Sequence, residues 1–270
     1  MRPSPAPLSA CFDLTRHNTL GLVSHARFGG RLSKVPQIAE AVAFVRQAGL
    51  PFHMLGGGSN VVLAPDVRAV VGLMHLRGRR ILELPDSFRV TARAGEPWDD
   101  LVRWTVAQGV GGLENLAGIP GTVGAAPVQT IGAYGVDLSD VFEALVAIDT
   151  TTACNVRFAR SDCAFGYRRS RFKAEPGRYI VLEVSLLLPR PWQAVRSYPG
   201  LRTLPERSDP ADVMQAVLTR RESRIPDWRV TGNAGFFYQS GRVRSVCRHM
   251  PNDAGASRRR RRETLGRLAA

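Results

Sequence analysis

Three short stretches carry residue types that could do chemistry. Gly56-Gly57-Gly58-Ser59-Asn60 offers successive backbone N–H groups that side chains barely shield, the arrangement an anion such as a pyrophosphate needs from a turn. No Lys-Ser/Thr pair follows, so it is not a P-loop, and alone it would read as an ordinary turn. A second tract, Gly111 to Leu138, reads GGLENLAGIPGTVGAAPVQTIGAYGVDL, with Gly118, Gly121 and Gly124 spaced three apart. That spacing is not the G-x-G-x-x-G of a dinucleotide-binding βαβ unit. So rich in glycine and poor in charge, the tract would make a weak core but suits backbone wrapped closely around a large polar ligand. The third stretch, VTGNAGFFYQSGR from Val230 to Arg242, runs from a small-residue turn straight into three aromatic rings.

The elements that must position these stretches follow from apolar spacing. Pro36 to Gly49 carries apolar residues at helical intervals and stops at a glycine, which predicts an amphipathic helix. LPFHMLGGGSNVVLA reads as a strand, a glycine turn and a second strand. AVVGLMHL, RILELP and FRVTARAG continue as short strands, Glu96 to Gln108 returns to helix, and ALVAIDT and YIVLEVSLLLP are further strands. Prolines 189 and 191 end the last strand, and an Asp-Pro start opens a helix over Asp209 to Ser223. Clustered strands with occasional helices predict an α+β chain rather than βαβ alternation.

Composition limits the function classes. The 270 residues are 44% hydrophobic, enough to bury a real core. No run of eighteen apolar residues would cross a bilayer and the start has no apolar export segment, so a cytoplasmic protein without a membrane partner is expected. The four cysteines, Cys11, Cys154, Cys163 and Cys247, are scattered and the five histidines show no ligand spacing, which predicts neither a metal site nor a disulfide framework. Net charge is +14, yet half of it sits beyond Gly235, where nine arginines face only Asp253 and Glu263. No aromatic residue interleaves the Arg258 to Arg262 run to stack bases, so a solvated tail is expected there in preference to a nucleic-acid partner.

LGGGSN, LAGIPGTVGAAPVQTIGAYG, FGYRRSRFK and VTGNAG, in this order, resemble the bacterial UDP-N-acetylenolpyruvoylglucosamine reductases, from about Asn18 to Gly235. The resemblance implies a two-lobed FAD-binding domain of the vanillyl-alcohol oxidase (PCMH) type, followed by a smaller substrate-binding domain that is incomplete here. The expected organisation is an extension over 1–17, the FAD-binding domain over 18–192, a partial substrate-binding domain over 193–240 and a basic tail over 241–270. It also implies FAD as cofactor, NADPH as hydride donor and a UDP-sugar as substrate, in peptidoglycan synthesis. Carried over, the FAD contacts fall on Gly56, Gly57, Gly58, Ser59, Asn60, Gly121, Thr122, Gly124, Ile131 and Gly132. Tyr134, Tyr198, Arg220 and Arg224 match positions near the UDP-sugar, and Arg168 matches the arginine that faces the substrate carboxylate as it takes up charge. A planar guanidinium suits that task, because an enolate needs fixed positive charge against it.

In this family a serine follows the GNAG turn and donates the final proton. Here Phe236 stands in its place, and Ser240 stands where an asparagine is expected. A phenylalanine has no proton to give, and loss of one positioned acid costs about 10²–10⁴-fold in rate. The family's later glutamate segment has no match, and Glu263 is not assigned to it. A disrupted reading frame near Gly235 is favoured over divergence as the cause. Two readings stay open: a working reductase, and a remnant that binds FAD and nucleotide-sugar without turnover. If the substrate domain lacks its second half, the helix over Asp209 to Ser223 should leave its apolar face partly exposed.

Overall fold

The computed structural model describes residues 6–227 and 229–234. Phe236, Ser240, Cys247, His249, Glu263 and the arginine run lie outside the described residues. Two sheets form the frame. The first has the order β1-β2-β4-β3, built from β1 (Ser9–Asp13), β2 (His25–Leu32), β3 (Phe52–Leu55) and β4 (Asp66–Met74), with the helix α1 (Val35–Ala48) connecting β2 to β3. β4 runs parallel to both β2 and β3, while β1 pairs antiparallel with β2.

The second sheet is antiparallel, in the order β10-β9-β11-β6-β5. It comprises β5 (Arg79–Leu84), β6 (Ser87–Arg93), β9 (Phe142–Asp149), β10 (Asn155–Ala159) and β11 (Tyr179–Pro189). Between β6 and β9 the chain makes α2 (Trp98–Ala107), the short helices α3 (Ala126–Gln129) and α4 (Leu138–Val141), and a hairpin of β7 (Gly132–Ala133) and β8 (Val136–Asp137). A helical turn, α5 (Arg171–Ala174), precedes β11, and α6 (Pro210–Glu222) comes last. Parallel and antiparallel sheets with helices laid beside them make this an α+β chain.

Local chemistry sets these elements. In α1, Ile38, Ala41, Val42 and Val45 are buried at helical spacing, and Gly49 closes it in the left-handed conformation, φ +64°, donating its N–H to Val45 O. β11 alternates buried and half-buried residues along the centre of its sheet. In α2 the indole of buried Trp98 donates to Leu116 O at 3.0 Å, tying the helix to the start of the long glycine tract. α6 is capped by Asp209, whose carboxylate accepts from the N–H of Asp212 at 2.9 Å, with Pro210 in the first turn.

Three expectations change against this frame, and one strand, β2, has no counterpart among those expected. The strand expected over Val61 to Ala64 does not form: Val62 points to solvent while Val61 and Leu63 pack on a small cluster of Leu14, Ala26, Leu55, Val71 and Leu73. The alternation is met by packing alone, with no neighbouring strand to bond. β2 carries a Gly29-Gly30 pair that hides it from pattern reading, yet Gly29 is needed because a Cβ there would run into the ring of Phe12 at 2.6 Å. Part of the stretch taken as an extension, Ser9–Asp13, is the edge strand of the first sheet. Finally, α6 does not expose its apolar face. Val213, Val217 and Leu218 are buried, packed toward Glu114–Leu116 and α2, and the described residues beyond Pro191 belong to the same compact unit as the sheets.

Candidate active site

The two glycine stretches meet each other. A Cβ built on Gly57 would lie 3.0 Å from the Cα of Gly121, and one on Gly56 would lie 2.6 Å from Thr122 Oγ1. Bare main chain is therefore required for the loops to touch. Main-chain bonds strap the second loop down: Trp98 N donates to Gly121 O at 3.0 Å, Val123 N to Glu96 O at 2.9 Å and Gly124 N to Ala94 O at 2.9 Å. Asp99, in the first turn of α2, accepts from Gly118 N at 2.5 Å. Among the described residues, no hydrogen bond within the protein occupies the N–H groups of Gly57, Gly58, Ser59 or Asn60. Open donors on a crowded glycine turn fit the phosphates of a dinucleotide, and these are the residues that would hold them.

Tyr134 and Arg168 occupy the tips of two tight turns. Tyr134 and Gly135 join β7 to β8 with φ of +51° and +86°, the signature of a two-residue hairpin usually filled by Asn-Gly. Arg168 ends the two-residue turn between Gly166 and Arg169, whose main chains bond each other in both directions at 2.9 Å, and it too is left-handed at φ +53°. Non-glycine residues in this region are strained, and strain of this kind collects at functional sites. Arg168 and Gly132 share a cleft of ≈ 610 Å³ that Thr130, Asp137, Arg160 and Tyr167 also line. Burial and the neighbouring Asp140 push the Asp137 carboxyl upward, while Arg168 draws it back.

Tyr134 packs edge-on against Tyr198, with ring centroids 4.9 Å apart, and Arg224 reaches the Tyr198 hydroxyl at 3.3 Å. Asn115, almost wholly buried, fixes this corner by donating to Tyr134 O and Val195 O, both at 2.9 Å. Among the described residues its side-chain carbonyl oxygen, Oδ1, has no partner. Burial raises the Tyr134 phenol above its ordinary range, against the pull of Arg221, Arg224 and Arg220. Ile131 packs half-buried against the core and anchors the hairpin.

Of the two arginines expected near the UDP-sugar, Arg220 lies on α6 and Arg224 just past its end, and only Arg224 joins the tyrosines. The guanidinium of Arg220 lies over Gly200 and lines a separate cleft of ≈ 590 Å³. Its neighbour Arg221, not singled out in the sequence, packs on the glycine tract instead: a Cβ on Gly118 would come 2.9 Å from Arg221 Nε. Burial lowers the Arg221 pKa, with Tyr134 and Asp99 pulling the other way. The signal was present, because Arg221 follows Val217 by four and sits on the buried stripe of its helix. A charge on such a stripe is out of place unless something anionic meets it.

Thr19, which carries no motif of its own, also belongs to this region. Its N–H donates to Gly58 O at 3.1 Å and its hydroxyl to Asn233 O at 2.5 Å. Thr19 thus bonds both the GGGSN turn and the GNAG turn, and a Cβ on Gly232 would fall 2.9 Å from Thr19 O.

Residues 31–153 match the FAD binding domain family. The chain is 42% identical over 251 residues to a UDP-N-acetylenolpyruvoylglucosamine reductase of Burkholderia vietnamiensis, covering 89% of this chain and 72% of that protein. The chain belongs to the UDP-N-acetylenolpyruvoylglucosamine reductase family. The fold of this reductase family agrees with its relative from Thermus caldophilus, which superposes with a TM-score of 0.58 at 22% identity over 80% of this chain and 69% of that one. A solvent-stable cholesterol oxidase shares the fold more distantly, with a TM-score of 0.56 at 17% identity over 69% of this chain and 39% of the oxidase. The family membership marks the chain as a flavoenzyme of the oxidoreductase class. Among the described residues no cluster of His, Cys, Asp or Glu could hold a metal ion, and no helix is long and apolar enough to cross a membrane.

Proposed function

We propose that this chain is an FAD-dependent reductase of the enolpyruvyl ether of UDP-N-acetylglucosamine, acting in peptidoglycan synthesis in the cytoplasm with NADPH as electron source. The observation that carries the reading is the contact between Gly57 and Gly121, with open N–H groups beside it, while Arg168 and Tyr134 sit on two turns joined through Thr130. FAD, when bound, supplies the hydride. Gly57, Gly58, Ser59 and Asn60 would donate to its phosphates, and Thr122 and Gly124 hold the facing loop in place. Arg168, carried in the cleft that Gly132 shares, would clamp the substrate carboxylate and stabilise it as negative charge builds. Tyr198, Arg224 and Arg221 would receive the nucleotide-sugar next to Tyr134.

The test is a titration of the purified chain with FAD, followed by NADPH without oxygen, then by the enolpyruvyl nucleotide-sugar. The expected results are a perturbed flavin spectrum, bleaching by NADPH, and recovery of the yellow colour when the sugar is added. A flavin spectrum unchanged by the protein would overturn the proposal at its base. A second reading, binding without turnover, is favoured by Phe236 at the position of the proton donor. It predicts bleaching but no sugar-dependent recovery, with recovery regained in Phe236→Ser.

A further inference from the structure

Thr130 is the odd residue in the glycine tract. It ends α3 in the left-handed conformation, at φ +47° and ψ +69°, with its N–H donating to Ala126 O. A helix cap of this kind calls for glycine or asparagine, and a β-branched residue with positive φ is a genuine outlier. What threonine adds over glycine is a hydroxyl, and here it is used. Thr130 is buried, and its Oγ1 donates to Arg169 O at 3.0 Å. That carbonyl is the base of the Arg168 turn, since it also accepts from Gly166 N at 2.9 Å. A parallel tie lies beside it, where Ser170 Oγ donates to Val128 O at 2.8 Å.

Ile131 and Gly132 follow Thr130 directly and lead into the Tyr134 hairpin. The Thr130 side chain therefore joins the strand that leads to Tyr134 to the turn that carries Arg168. We propose that Thr130 is a positioning residue: its hydroxyl sets the Arg168 turn in register with Gly132, and so holds the guanidinium where a carboxylate ligand in the shared cleft can be gripped. The proposal rests on the reading of Arg168 given above. It deepens that reading by naming what aims the arginine.

Three substitutions separate the roles of the residue. Thr130→Val keeps the shape and the strained backbone but deletes the donor. Thr130→Gly relaxes the backbone and deletes the donor. Thr130→Asn relaxes the backbone and keeps a donor able to reach Arg169 O. The first readout needs no ligand: amide hydrogen exchange in the peptide spanning residues 164–173, where Arg169 N–H donates to Gly166 O. Thr130→Val and Thr130→Gly should raise exchange there by about three- to tenfold, and Thr130→Asn should match the parent. The second readout uses the FAD-loaded full chain and the enolpyruvyl nucleotide-sugar, with binding followed by the flavin spectrum. Thr130→Val should weaken sugar binding by about three- to tenfold and leave FAD affinity within about twofold. In an Arg168→Ala background it should weaken sugar binding no further.

Unchanged exchange in Thr130→Val would overturn the proposal whether or not the chain binds flavin. So would an equal loss of sugar binding with and without Arg168, or full sugar binding in Thr130→Gly. Normal exchange changes in a chain that binds no FAD would instead refute the reductase reading and leave Thr130 as the residue that sets the turn.

Discussion

Replacing Gly57 by alanine is the most direct probe of the contact between the glycine loops. The new Cβ would sit 3.0 Å from Gly121 Cα, whereas carbon atoms prefer about 3.5–4.0 Å. One loop must therefore retreat by roughly half an ångström to an ångström, and overpacking of this size costs about 1–3 kcal/mol. For a chain of this length about 2–4 °C of Tm accompanies each kcal/mol. The expected fall is about 2–12 °C. Retreat also moves the open N–H groups of Gly57 to Asn60, and losing one good bond to a charged phosphate costs about 1.5–3 kcal/mol. FAD affinity should then drop by about tenfold to a hundredfold. Gly109→Ala is the control, because nothing lies within 4 Å of its added Cβ, although Gly109, unlike Gly57, has a positive φ of +75°. It should lose about 1–2 kcal/mol of stability through backbone strain alone and keep its FAD affinity. Scanning calorimetry and fluorescence titration with FAD measure both quantities. If the two variants bind FAD equally well, the loops do not form the cofactor cradle and the reasoning is refuted.

Further outcomes follow from the charged groups. Arg221→Met should leave Tm unchanged or raise it slightly, since it removes a desolvated cation with no ion pair among the described residues. The same change should cut affinity for the nucleotide-sugar about tenfold or more, while Arg220→Met, on the separate cleft, should change it less than about twofold; titration of the FAD-loaded chain tests both. The buried Asp149 carboxyl is held below its ordinary value by hydrogen bonds from Thr151, assisted by Arg178. A depressed folded pKa means that its stabilisation is complete above the unfolded value, 3.8, and is lost as pH falls through the folded one. Tm measured from pH 6 to pH 2 should therefore fall more steeply for the parent than for Asp149→Asn, and parallel curves would show that the pair contributes nothing.

Where local pattern and tertiary need agreed, the sequence could be read closely. The spacing of Ile38, Ala41, Val42 and Val45 marks α1, and Asp209-Pro210 marks the start of α6. The glycines were recognised as making room, but what fills much of the room is protein: Gly57 against Gly121, Gly124 against Ala94. Composition cannot separate those two uses of a missing side chain. Arg220 and Arg221 differ by one step of about 100° around a helix, too fine for motif matching that lacks the burial of Val217 to set the phase. Thr130 and Thr19 were invisible for another reason. Their importance lies in partners 39 and 214 residues away, and no local window contains both ends of such a bond.

The bond from Thr19 to Asn233 carries a consequence for biosynthesis. A nascent polypeptide that has just released Gly132 from the ribosome already possesses both glycine loops and Thr19, yet Asn233, which accepts from the Thr19 hydroxyl, arrives about a hundred residues later. If those loops cradle the cofactor, a chain stalled before Asn233 should hold flavin less tightly than the finished one, because Thr19 then lacks its second tie.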